Sequence, residues 1–93
     1  MEAVLNCAEI RTRTELHDAL SEILPLPEWY GRNLDALHDC LTEPVGDLRL
    51  IVRDPELLRE RLGDYGERFF LVLRDCAAQN PTFHAEFLPN AVP

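Results

Sequence analysis

The stretch Leu48-Arg49-Leu50-Ile51-Val52-Arg53-Asp54-Pro55-Glu56-Leu57-Leu58-Arg59-Glu60-Arg61-Leu62 changes character in its middle. Leu48 to Arg53 is apolar and β-branched enough for a buried strand. Pro55 has no N–H to give a sheet, but it fits the first turn of a helix, where that N–H has no partner in any case. Residues 55–62 therefore read as a short helix, and Gly63 ends it. A buried strand that runs at once into a helix points to an α/β fold.

The flanking sequence repeats the alternation. Upstream, Ala3 to Asn6 has the look of a short strand. Thr12-Arg13-Thr14-Glu15 has the form of a capping box, with Thr14 as a second candidate cap, and Leu16, Leu20, Ile23 and Leu24 recur at helical spacing up to Pro25. Pro25-Leu26-Pro27-Glu28-Trp29-Tyr30-Gly31-Arg32 then combines two prolines with a glycine, which makes a stiff loop. Asn33 can cap a second helix with Leu34, Leu37 and Leu41 on one face, stopped by Pro44. Downstream, Asp64 with Glu67 three residues on can open a longer helix through about Gln79, whose core face is Phe69, Val72, Leu73 and Cys76. Phe83, Ala85 and Phe87 alternate with His84, Glu86 and Leu88, the period of a strand covered on one face. Strands joined by helical connections of this length are parallel, with right-handed crossovers. The expectation is one domain over residues 1–93: an α/β fold with a three-stranded parallel β-sheet covered by about four α-helices.

The chain has 93 residues, 46% of them hydrophobic, enough for one core. No run approaches the ~20 apolar residues of a membrane span, and Met1-Glu2-Ala3-Val4-Leu5-Asn6 lacks the basic and apolar parts of a secretory signal, so a cytoplasmic location is expected. Cys7, Cys40 and Cys76 are odd in number and show no Cys-x-x-Cys spacing. They read as reduced, mostly buried thiols rather than a disulfide framework or a zinc site. His38, Asp39 and Cys40 adjoin, yet neighbours on a helix point about 100° apart and cannot converge on one substrate atom. The net charge of −8 disfavours nucleic acid and anionic membranes as partners and favours a basic protein or a basic cleft.

Asp35, Asp39 and Glu43 follow one another at four-residue intervals, and Thr42 lies three beyond Asp39. All four share the helix face opposite Leu34, Leu37 and Leu41, forming an acidic ridge. Helix stability does not account for it, because like charges at this spacing cost about 0.2–0.5 kcal/mol per pair and Glu43 sits at the negative end of the dipole. An ordinary solvated face in an acidic protein is the plain reading of such a ridge. The loop changes that, since it holds Trp29 and Tyr30 beside the ridge, one of the two rings packing down on the core. A ring on a stiff loop next to carboxylates has the composition of a preorganised hot spot for a basic cleft.

The run from Leu26 to Thr42, Leu-Pro-Glu-Trp-Tyr-Gly-Arg-Asn-Leu-Asp-Ala-Leu-His-Asp-Cys-Leu-Thr, is similar to the central segment of the barstar family, inhibitors of a secreted guanyl-preferring ribonuclease. Weaker similarity extends to Ala3-Val4-Leu5-Asn6, Ile10-Arg11, Leu16-His17 and Val72-Leu73-Arg74-Asp75. The resemblance implies that Asp39 enters the enzyme's active site in place of an RNA phosphate, held by its arginines and catalytic histidine. It implies that Asp35 pairs with a nearby basic group, that Thr42 adds a hydrogen bond, and that Trp29 stands for a tyrosine packed on that histidine. Asn33 and the backbone from Gly31 to Leu34 would line the contact, and Asp75 matches a glutamate. His38 and Pro44 stand where the family has tryptophans, so the match of target enzyme can differ. His38 also offers two readings, a solvated surface histidine or a pH-sensitive contact. The partner-binding set is thus Trp29, Gly31, Asn33, Leu34, Asp35, His38, Asp39, Thr42, Glu43 and Asp75, in a monomer forming a 1:1 heterodimer with an extracellular-type, guanyl-specific ribonuclease.

Two other classes compete. One is an immunity or regulatory protein of the same fold for a different basic toxin or protein. The other is an enzyme, against which stand the lack of a Ser/His/Asp order, a Gly-rich phosphate loop, metal-ligand spacing or paired carboxylates in a cleft. His17, His38 and His84 fall on different elements, so no metal and no cofactor is expected.

Overall fold

The alternation of Leu48–Arg53 places Leu48, Leu50 and Val52 inward and Arg49 and Arg53 outward, and the computed structural model, which describes residues 1–43 and 46–89, has this strand at the centre of its sheet. The elements in chain order are β1 (Glu2–Asn6), a single 3-10 turn (Cys7–Glu9), α1 (Arg13–Ile23), α2 (Leu34–Thr42), β2 (Leu48–Arg53), α3 (Pro55–Leu62), α4 (Asp64–Gln79) and β3 (Phe83–Leu88). The sheet is three-stranded and parallel, in the order β1-β2-β3. The α/β architecture expected from the sequence is the one observed.

The register lines up whole rows of side chains. Leu48 meets Phe83; Ala3, Leu50 and Ala85 form a second row; Leu5, Val52 and Phe87 form a third. These rows face the core with Leu16, Leu20, Leu37, Leu58, Phe69, Phe70 and Leu73. The opposite rows, such as Glu2-Arg49-His84, carry charge and meet water, so the helices cover one face of the sheet. An alternating pattern on all three strands is what such one-sided burial requires.

Helix ends follow local chemistry with two departures. Thr12, not Thr14, caps α1: its hydroxyl accepts from the Glu15 N–H at 3.1 Å, and the Glu15 carboxylate reaches back to the N–H of Arg11 rather than of the cap itself. Ile23 ends α1, two residues before Pro25. Asp64 lies inside α4 and does not cap it; Gly63, at φ 56°, joins α3 to α4 with no side-chain cap. The Glu67 carboxylate pairs with Arg59 across that junction at 2.6 Å instead of closing a capping box. Phe70, unforeseen from the helical pattern, is buried beside Phe69, and Val72 is half-buried. Pro44 and the tail beyond Pro89 lie outside the described residues.

Candidate functional site

The loop between α1 and α2 divides its two aromatic rings. Tyr30 is 6% exposed and Trp29 is 77% exposed. The division follows from what each ring can reach. The Tyr30 hydroxyl shares a hydrogen bond with His17 Nδ1 at 2.5 Å, and His17 Nε2 shares another with the Tyr65 hydroxyl at 2.7 Å. A neutral imidazole donates from one nitrogen and accepts at the other, so this buried row, drawn from the loop, α1 and α4, satisfies both ring nitrogens. It staples the loop down. The Tyr30 N–H donating to Pro27 O at 3.0 Å closes a turn that leaves the indole of Trp29 in water. Burial and the nearby Arg32 charge hold the His17 pKa below its ordinary value, which keeps the ring neutral.

Arg32 adopts a left-handed conformation at φ 55° and pairs with Asp18 on α1. A non-glycine residue there costs about 1–2 kcal/mol, and such strain is retained where surrounding contacts enforce it. Next in the chain, the Asn33 side-chain oxygen accepts from the Ala36 N–H at 2.8 Å while its amide donates to Gly31 O at 3.1 Å. One side chain thereby caps α2 and ties down the loop before it.

On α2 the predicted face is real: Leu37 and Leu41 are buried, Leu34 is half-buried, and Asp35, Asp39 and Glu43 are exposed. Thr42 is half-buried, and its hydroxyl donates to the carbonyls of His38 and Asp39 at 2.9 and 3.2 Å. At the far end, buried Asn80 donates to Leu41 O at 2.9 Å and, at 3.5 Å, to Glu43 O, while its own oxygen accepts from the Thr82 N–H and hydroxyl. Asn80 is the residue that sequence reading missed. Its signal was faint: one polar residue after a helix, with no spacing to mark it.

Eight of the ten predicted residues fall into three neighbouring groups along α2. Trp29, Asp39 and Glu43 line one cavity with Leu26, Pro27 and Leu41. Asn33, Leu34 and Asp35 line a second hollow with Tyr65, Arg68 and the exposed Leu71 of α4. His38 and Asp75 face each other across α2 and α4, His38 Nε2 lying 2.6 Å from the Asp75 carboxylate, which also accepts from Gln79 at 2.9 Å. Those hydrogen bonds, that of His38 first, hold the Asp75 carboxyl below the usual carboxylate range. His38 is therefore neither simply solvated nor free: it is engaged on its own chain, and so is Asp75. Gly31 is exposed, and a Cβ there would come within 3.1 Å of the Asn33 amide.

The thiols are poor nucleophiles. Burial, aided by nearby carboxylates, pushes Cys7 and Cys76 up to about 12, and burial raises Cys40 with help from the charges of Asp39 and Glu43. Among the described residues no group of three or more His, Cys, Asp and Glu side chains is placed to hold a metal ion. No helix among them is long and apolar enough to cross a membrane. What the arrangement can do is present fixed negative charge beside an exposed ring.

A family model described as "Barstar (barnase inhibitor)" matches residues 1–88. A protein of Bacillus subtilis (strain 168) named "Putative ribonuclease inhibitor YrdF" is 43% identical over 61 residues, covering 64% of this chain and 67% of the relative.

Proposed function

The chain belongs to the barstar family, and from that premise we propose that it inhibits a secreted microbial ribonuclease of the guanyl-preferring class by filling its active site. Asp39 occupies the place of an RNA phosphate. Trp29 packs on the catalytic histidine, Asp35 and Glu43 meet basic groups around the cleft, and the exposed backbone from Gly31 to Leu34 lines the contact. Substrate is excluded because its phosphate site is already taken. The protein acts as a monomer in a 1:1 complex, in the cytoplasm of the cell that makes the nuclease, before export.

One observation carries this reading: an exposed carboxylate and an exposed indole stand beside each other on a loop and helix held by the Tyr30-His17-Tyr65 row, the Asn33 cap and Asn80. Rigid presentation matters because side chains already in place lose little freedom on binding.

The test is RNA cleavage by a panel of secreted guanyl-preferring ribonucleases, with and without one equivalent of the protein. Stoichiometric inhibition that Asp39→Ala abolishes is expected. Cleavage by every enzyme of the panel, with the inhibitor shown to be folded, would sink the proposal and send the search to other basic proteins.

A further inference from the structure

Successive residues of a helix advance about 100°, so α2 turns Leu37 and Leu41 into the core and Asp39 to the opposite side, with a flank on either hand. On one flank Asp39 and Glu43 line a cavity with the exposed Trp29. On the other, the seam between α2 and α4 holds two hollows. Asp35 and Arg68 border the first, and His38 and Asp75 the second. Leu71 and Val72 of α4 line both, which joins them into one groove, and Leu71 is 59% exposed there.

Among the described residues five large apolar side chains are exposed. Val4 and Leu88 belong to the open face of the sheet, and Met1 stands at the chain start. The other two, Trp29 and Leu71, bracket the acidic ridge of α2. On its own helix Leu71 has charged neighbours one turn away, Glu67, Arg68, Arg74 and Asp75, all exposed. A polar residue of equal helix propensity would serve an ordinary solvated face as well.

The size of a protein–protein contact brings Leu71 within it. A standard interface buries about 800 Å² on each partner, a patch roughly 30 Å across, and draws on roughly 20–30 residues a side. α2 has nine residues and spans only about 13 Å, while packed helices lie about 8–10 Å apart. A partner centred on Asp39 therefore overlaps both flanks, the loop at Trp29 and α4 at Leu71. Asn33, Leu34, Asp35, His38 and Asp75, all in the predicted contact, already line the seam, so the groove is continuous with it. The seam also differs from the ridge in carrying both signs of charge around an apolar middle, Leu71 and Val72. An aliphatic group fits such a middle, and by excluding water it strengthens the charged contacts beside it.

We infer that Leu71 is an apolar anchor for the partner, receiving an aliphatic side chain from the rim of the cleft beyond the basic groups that meet Asp39. The inference rests on the proposed inhibition and deepens it by adding the outer face of α4 to the contact. It makes Leu71 a specificity-determining residue, since a target with a charged rim at that place strands the charge against leucine.

The test sets the full chain beside Leu71→Gln, Leu71→Met and Leu88→Gln, against the ribonuclease of the panel that the unaltered protein inhibits most tightly. Inhibition constants and the association and dissociation rates are read, and thermal unfolding confirms that each variant is folded. Leu71→Gln should weaken inhibition about fivefold or more, through faster dissociation, with the salt dependence of association unchanged because an apolar contact does not steer. Leu71→Met, which keeps the apolar volume, and Leu88→Gln, which lies on the open sheet face, should each stay within about twofold. A smaller loss for Leu71→Gln, or an equal loss with either control, would overturn the inference and leave inhibition standing. If the unaltered protein inhibits no enzyme, partner and contact fall together, a result that its own arm of the experiment shows.

Discussion

Asp39 and His17 show how differently two side chains serve one site. Asp39 is exposed, and among the described residues no cation pairs with it. Its charge is left for a partner. Asp39→Ala should weaken binding to a confirmed target by more than about 2 kcal/mol, the size of a central charged anchor whose loss strands buried cations opposite it; the reference complex of this family is among those from which that range comes. Calorimetric titration checks the loss, and denaturant unfolding should show a change below about 0.5 kcal/mol, as for other surface substitutions. His17 is 2% exposed and works through the fold. Its pKa is lowered in the native state, by burial first and Arg32 second, so below pH 6.5 the unfolded chain binds a proton that the folded chain resists. Stability is unaffected by this group above pH 6.5 and falls as pH drops through it, by at most about 1.4 kcal/mol per pH unit. Urea unfolding at pH 7.5, 6.5 and 5.5 should show the decline, and His17→Gln should flatten it while lowering stability at pH 7.5.

The elements themselves were legible because their signals are local. Apolar, β-branched content marked β2, period-2 alternation marked β3, and cap chemistry marked Thr12 and Asn33, since each depends on residues close together in the chain. The failures came where a tertiary partner outbid a local one. Glu67 could have closed a capping box with Asp64, but Arg59 of α3 stands 2.6 Å away and takes it. The hydrogen bond between Asp75 and His38 of α2 likewise had no local signal. Asn80 belongs to the same class: it secures the end of α2 only because the turn after α4 returns to that point. Asn80→Ala should cost about 1–3 kcal/mol in chemical denaturation, the penalty for leaving buried carbonyl and N–H groups without a partner. It should also weaken inhibition of a confirmed ribonuclease although Asn80 itself stays buried; unchanged stability would show that α2 is held otherwise.

At the level of the whole chain, a net charge of −8 sets how fast a basic partner arrives more than how long it stays. With a confirmed ribonuclease, stopped-flow association should slow at least tenfold between about 50 mM and 500 mM salt, as the Debye length shrinks from roughly 14 Å to about 4 Å. Dissociation should change far less. An association rate indifferent to salt would mean that the acidic ridge does not steer.

By itself the sequence determined the alternation of strands and helices, the parallel sheet that alternation imposes, and the acidic face of α2, because periodicity and charge spacing are properties of neighbouring residues. Only the tertiary structure decided which loop ring turns inward, because Trp29 and Tyr30 have equal local claims and the choice falls to a histidine of α1 and a tyrosine of α4. The same holds for Gly66, where a Cβ would come within 2.9 Å of Leu58 O: a helical glycine looks wasteful until α3 is packed against it. Contacts between distant segments leave no period in the chain, so they are settled by packing, and here packing fixes how the site is held while the local code fixes what it displays.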